Sequence, residues 1–325
     1  MTNPHDAFFK ESFSRREHAA DFLAGVLPAP LKAKLDLDTL RLENASYIDE
    51  RLAEHFSDLV YACAWRGKTE IRVTLLFEHK SFVPKHPHVQ LLRYLVGMWE
   101  TQIKQQGALT PVIPLVVYHG KQRWRYRPLG EYFEGIEEDL LPFLPEFRYL
   151  LFDLSRFSDE EVKSAVFRQA GVKIAILLMK KIFDEEGLRK ALGEIFGIGR
   201  HFFEKGGGLR FLESVLRYLY ERVEISPEEL VEVLKPITRE GSAIAMSTAE
   251  KLIEQGKLEG FREGKIEGFR EGKIEALIEM LQWTHPDLAL RFEKRIEACR
   301  SLEELAAVKA EIRRELEARK QGSPR

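Results

Sequence analysis

Four short runs of β-forming residues lie between residues 40 and 118, and their order constrains the fold more than any other feature of the chain. Leu40–Ile48, Asp58–Ala64, Glu70–Phe77 and Val112–Tyr118 are each enriched in β-branched, aromatic and leucine residues, and Arg66-Gly67-Lys68-Thr69 supplies a turn between the second and third. Between the third and fourth, His88–Lys104 places Val89, Leu92, Leu95, Val96, Trp99 and Ile103 at helical spacing, which provides the crossover a parallel strand needs. Ahead of the strands, Phe8, Phe9, Phe13, Phe22, Leu23 and Leu27 recur at roughly helical spacing until Pro28 and Pro30, predicting an opening amphipathic helix. The expected core is mixed α/β, in the order helix, three strands, helix, strand.

From about Ser155 the strand signals stop and helices take over. Ser158-x-x-Glu161, Ser226-Pro227-x-Glu229 and Ser301-x-x-Glu304 match capping boxes, in which the serine oxygen takes an orphan amide and the glutamate reaches back. Gly206-Gly207-Gly208 reads as a break between helices, since no Gly-Lys-Ser/Thr follows to make it a phosphate cradle. Gly67-Lys68-Thr69 fails the same test, because Ala62 stands where the Walker pattern needs glycine. The expected organisation is an α/β domain over 1–154, a helical domain over 155–245, a repeat helix over 246–282 and a helical tail over 283–325.

The repeat is Glu259-Gly-Phe-Arg-Glu-Gly-Lys-Ile266, followed at once by an identical copy ending at Ile274 and preceded by a degenerate half. Glycine falls at 256, 260, 264, 268 and 272, a stripe that winds slowly around a helix by about 40° per step. Each helical glycine costs about 1 kcal/mol relative to alanine, so such a helix is weak alone. One reading is close helix-to-helix contact in a homo-oligomer through 254–274; the other is a charged linker.

A net charge of −2 over 325 residues means that any nucleic-acid surface must be a local patch. Two distant cysteines, Cys63 and Cys299, fit neither a disulfide framework nor a structural zinc site. The polar N-terminus lacks a secretory pattern, and the longest apolar stretches are too short to span a bilayer, so a cytoplasmic protein with no membrane partner is expected.

Asp58 opens one apolar run and Glu78-His79-Lys80 closes the next. In a strand, positions 78 and 80 share a face. If Asp58 comes alongside Glu78, the two carboxylates can bind Mg²⁺ or Mn²⁺, with the main-chain carbonyl of His79 as a further oxygen ligand, while Lys80 holds a water or stabilises charge on a phosphate. An exposed strand-end ion pair is the competing reading. Register decides between them: a two-residue Arg66-Gly67 turn makes paired residue numbers sum to 133 and sets Asp58 opposite Leu75, whereas a sum of 136, from a longer loop or a bulge, sets it opposite Glu78.

The order of elements, with Asp58, Glu78 and Lys80 in motif positions, resembles the core of the PD-(D/E)XK nuclease superfamily. The first 135 residues or so resemble, more narrowly, the Rpn family of recombination-promoting nucleases. The matching stretches are His5-Asp-Ala-Phe-Phe-Lys10, Asp58-Leu-Val-Tyr61, Leu76-Phe-Glu-His-Lys-Ser81, Leu91-Leu-Arg-Tyr94, and Pro111 to Gly120 with Trp124; the Glu-Gly repeat resembles tails common in the family. The resemblance implies a restriction-endonuclease-like fold, and a metal-dependent DNA endonuclease of recombination or transposition type with Asp58, Glu78 and Lys80 catalytic.

Weaker candidates surround this set. Gln90 and Arg93, three apart on the helix after Glu78, can share a face toward a phosphate or simply be solvated. Glu11 is a possible further metal-side carboxylate. His86 and His88 are expected at a loop, exposed or touching DNA, and His119 ends the fourth run near the expected active edge. Lys121, Arg123 and Arg125 head a basic segment with interleaved Trp124 and Tyr126; the cations suit DNA phosphates, and the aromatics are expected to pack on the core, with stacking on an unpaired base the alternative.

Overall fold

The computed structural model describes residues 3–43, 59–65, 68–80, 82–105 and 107–321, with the side chains of 68–79, 165, 259–266, 269 and 318–321 outside that description. By packing, the chain divides into residues 1–249 and residues 250–325.

In residues 1–249 a five-stranded sheet runs in chain order, β1 (Leu35–Leu42), β2 (Leu59–Trp65), β3 (Lys68–Lys80), β4 (Val112–Tyr118) and β5 (Leu150–Asp153). The first three strands are antiparallel, and β3, β4 and β5 are parallel. The expected second, third and fourth runs are present, and the third extends three residues further, to Lys80. The first strand begins at Leu35 instead of Leu40, and the remainder of its expected run, from Asn44, lies outside the described residues. β5 has no counterpart in the expected order: four residues are too few to show a period.

The opening helix is two helices, α1 (Pro4–Phe13) and α2 (Arg16–Val26). Asn3 caps α1 by accepting the His5 amide, and Pro4 occupies the first position, where its missing N–H costs nothing. Ser14 ends the helix with its hydroxyl on the Lys10 carbonyl, and Arg15 is extended. The break lets both pieces face one core, where the Phe13 ring meets Phe9 at 4.9 Å and Phe22 at 5.0 Å.

Alternation along the strands builds two packed layers. Leu59, Tyr61, Cys63, Leu115, Val117 and Phe152 face the main core, shared with α1, α2 and the helices α4 (Ala170–Lys181), α5 (Glu185–Ile198), α6 (Gly206–Arg222) and α7 (Pro227–Leu234). Val60, Val116 and Tyr118 face the other side, against the crossover helix α3 (Pro87–Lys104) through Leu91, Tyr94 and Met98. The boundary expected at 154/155 therefore separates two kinds of secondary structure that share one core. The glycine triplet, read as a break, opens α6, with the Cα of Gly208 packed so closely on the Phe202 carbonyl that no side chain fits.

The capping boxes at Ser158 and Ser226 are complete in both directions. Ser301 accepts the Glu304 amide at 3.1 Å, but the Glu304 carboxylate takes the Arg300 N–H. The Glu-Gly repeat lies in one long helix, α8 (Gly241–Thr284), ended by His285-Pro286 before α9 (Pro286–Glu297) and α10 (Leu302–Gln321). Leu277, Leu281, Leu288, Phe292, Ile296 and Ile312 form the core of residues 250–325. A Cβ added at Gly256, Gly268 or Gly272 would meet nothing within 4 Å. Among the described residues no helix is long and apolar enough to cross a membrane.

Candidate active site

β3 delivers Glu78, His79 and Lys80 to the end of the sheet where the parallel strands β3 and β4 finish. In that pair Glu78 is level with Val116, His79 with Val117 and Lys80 with Tyr118, and the His119 amide donates to the Lys80 carbonyl at 3.0 Å. Lys80 is half-buried.

The register between β2 and β3 combines both of the expected geometries. Next to the turn Trp65 pairs with Lys68, the sum of 133 that belongs to a two-residue loop. An irregularity follows at once, and from Ala64↔Arg72 to Leu59↔Phe77 the sum is 136. Residues 69–71 of β3 are taken up there, so the bulge, and not a longer loop, makes up the offset. The described pairing stops at Leu59↔Phe77; Asp58 lies outside the described residues, as do the side chains of Glu78 and His79.

Behind Lys80 the structure gathers polar side chains that the sequence does not associate. His119 is 3% exposed, and its Nδ1 lies 3.0 Å from the Met179 carbonyl. A carbonyl only accepts, so Nδ1 carries the proton. The His119 ring stacks on Phe183 at 5.2 Å and meets the His5 ring edge-on at 5.0 Å, and His5 Nδ1 lies 2.7 Å from the buried Tyr218 hydroxyl. Burial pushes the Tyr218 phenol well above its usual range, keeping it neutral. Only closure of the main core brings residues 5, 119 and 218 together; nothing in the sequence around them associates the three.

The other candidates separate. Gln90 is half-buried and donates to the Tyr94 hydroxyl at 2.7 Å, while Arg93 is exposed on α3. Glu11 pairs with Arg217 of α6 at 3.0 Å. His88 is not the exposed loop residue expected: it lies within α3, is 1% exposed, and stands among the rings of Tyr126, Tyr132, Phe147 and Tyr149 at 5.1 to 6.0 Å. Burial lowers its pKa and holds it neutral. His86 is exposed at the cap of the same helix. Lys121, Arg123 and Arg125 are exposed, whereas Trp124 is 1% exposed, with its amide on the carboxylate of Asp153. The core-packing reading of that tryptophan therefore holds. Among the described residues no cluster of three or more His, Cys, Asp or Glu side chains is arranged to hold a metal ion.

The family described as "Putative transposase, YhgA-like" matches residues 3–204. The chain is 37% identical over 123 residues to the "Recombination-promoting nuclease RpnA" of Escherichia coli (strain K12), covering 37% of this chain and 41% of the relative. It is 34% identical over 129 residues to the "Recombination-promoting nuclease RpnD" of Escherichia coli O157:H7, covering 49% of that protein. These two matches thus span less than half the length of the relatives. A third, 28% identical over 268 residues and covering 81% of this chain and 85% of the relative, is the "Inactive recombination-promoting nuclease-like protein RpnE" of Escherichia coli (strain K12). No solved structure gives a significant match.

Proposed function

Because this chain belongs to the YhgA-like transposase family, we propose that it is a metal-dependent DNA endonuclease, built on a PD-(D/E)XK core, that hydrolyses phosphodiester bonds in recombination or transposition. The observation that carries the reading is the register sum of 136. Continued by one residue, it would set Asp58 opposite Glu78, and directly opposite residues share a face. The strand partner of Glu78, Val116, and that of Lys80, Tyr118, both belong to the layer under α3, which is the side of the sheet where this site would open.

The donor types fit a hard divalent cation: two carboxylates, from Asp58 and Glu78, and the main-chain oxygen of His79. Mg²⁺ or Mn²⁺ bound there would polarise a phosphoryl oxygen and lower the pKa of a water. Lys80 then orients the attacking water or stabilises charge on the phosphate. Arg93, Lys121, Arg123 and Arg125 neutralise the DNA backbone to either side, and the Gln90 amide can add an uncharged hydrogen bond to it. Plasmid nicking in Mg²⁺ tests the reading. Wild type should cut and Asp58→Ala should not; equal cutting by both assigns the activity elsewhere.

A second reading, a noncatalytic DNA-binding or assembly protein that keeps the fold, is favoured by the relative named inactive, which aligns over most of this chain. Absence of cutting together with retained DNA binding would select it. Under either reading the glycine stripe of α8, open at Gly256, Gly268 and Gly272, is proposed to receive a second copy of the same helix. Deleting Glu254–Ile274 should lower the mass in light scattering while the sheet stays folded; an unchanged mass favours a linker.

A further inference from the structure

We propose that the cavity beside the basic segment takes an unpaired nucleobase of a DNA strand. The cavity has a volume of about 650 Å³, and its lining includes Tyr126, Phe147, Tyr149, Leu144, Arg148 and Arg156. The half-buried rings of Tyr126 and Phe147 in its wall suit stacking, which any base can provide, and Glu146, Arg148 and Arg156 make up its polar edge. The volume lies within the range of pockets that enclose small ligands, roughly 300 to 1,000 Å³, enough for a base and its sugar.

The placement of charge identifies the ligand as part of a polyanion. From 123 to 127 the chain alternates, with Arg123, Arg125 and Arg127 exposed and Trp124 and Tyr126 turned inward, and Lys121 is exposed just ahead of them. Tyr126 therefore belongs both to the cationic strip and to the cavity wall. A strand whose phosphates follow the arginines has the cavity beside it. Arg148 adds an exposed cation that has no ion-pair partner among the described residues. Arg156 is held in place, 3.5 Å from the buried Asp153 carboxylate and donating to the Trp124 carbonyl at 3.2 Å. The walls are braced from behind: the His88 ring meets Tyr149 at 5.1 Å, Phe147 at 5.5 Å and Tyr126 at 6.0 Å, all edge-on. Such a wall is set before the ligand arrives, which lowers the ordering cost of binding. A base still paired within a duplex cannot enter, so the cavity selects bulges, mismatches and strand ends.

This inference rests on DNA being the substrate, and its test separates the two. The full chain in EDTA, where no cutting occurs, is titrated by fluorescence anisotropy against a labelled duplex and against the same duplex carrying one unpaired thymine. Wild type should bind the bulged duplex at least about tenfold tighter, the effect of one stacked base. Leu144→Trp fills the cavity and should erase that preference with duplex affinity unchanged, whereas Arg148→Glu should weaken both. Thermal midpoints check that the variants fold, and if Leu144→Trp does not, Phe147→Leu, which removes a ring from the wall and keeps an apolar side chain, carries the test and should lower the bulge preference with duplex affinity unchanged. Equal affinity of wild type for the two duplexes overturns the inference. So does free thymidine monophosphate competing at the same concentration as the strand, because the arginines would then contribute nothing. Asp58-dependent nicking without a bulge preference sinks this inference alone; a bulge preference without nicking sinks the nuclease reading alone; binding to neither DNA sinks both.

Discussion

The core of residues 1–249 joins residues far apart in sequence: Phe8 of α1 stacks on Tyr218 of α6 with ring centroids 4.2 Å apart. The core of residues 250–325 joins near neighbours, Leu281 with Leu288, Phe292 and Leu305 on consecutive helices, and it is edged by the ion pairs Arg291–Glu315 and Arg295–Glu311. Long-range closure brings the end of β3 against the sheet and the helices behind it, where a site needs a rigid frame. Local helix pairing needs no such closure.

The largest effect expected from that division is on cutting. Glu78→Gln should reduce metal-dependent nicking at least about 100-fold, with little change in thermal midpoint, since the substitution keeps the side chain's size. Loss of cutting accompanied by unfolding would mean that Glu78 supports the sheet. Next comes core truncation. Phe22 is 0% exposed, and Phe22→Ala should cost about 3 to 5 kcal/mol, read by urea unfolding with near-UV circular dichroism. Phe292→Ala, in the local core, should cost a similar amount and leave the aromatic signal of residues 1–249 in place. If both variants shift one common transition, the two regions unfold together and the comparison fails.

Smaller effects come from the helix starts and from pH. Ser226→Ala removes one half of a complete capping box and should cost about 1 kcal/mol. Asp159 gives a pH signature. Burial alone would push its carboxyl up, but Lys180 and Lys181, the latter at 2.7 Å, outweigh burial and hold it below the ordinary 3.8. A carboxyl depressed in the folded state stabilises above its ordinary value, and that stabilisation is lost as pH falls through the folded value. Thermal midpoints of wild type should therefore drop more steeply in acid than those of Asp159→Asn; parallel curves would leave the two lysines without a role in acid stability.

What the sequence made legible follows from the range of the forces involved. Val112–Tyr118 and both complete capping boxes depend on neighbours within a few residues, and they appear as expected. The break at Ser14-Arg15 was not legible, because it is set by a core that takes Phe13 and Phe22 on the same side. The burial of His88 and the meeting of His5, His119 and Tyr218 depend on segments more than 30 residues apart coming together. Register arithmetic left two sums open, 133 and 136, and offered a longer loop or a bulge as ways to the second; the β2/β3 pair shows the first beside the turn and the second beyond the bulge.

That bulge also governs how the gene for such a chain can change length. Residues 69–71 sit between two registers, so codons gained or lost there alter how much strand is looped out while the pairing from Ala64↔Arg72 onward is kept. One residue added between Arg72 and Phe77 has no such outlet, and it turns positions 78 and 80 to the opposite side of the sheet. Insertions and deletions among relatives should therefore collect beside the turn and be excluded from the following six residues, a pattern that reading-frame-preserving insertion libraries would reveal without any assay of chemistry.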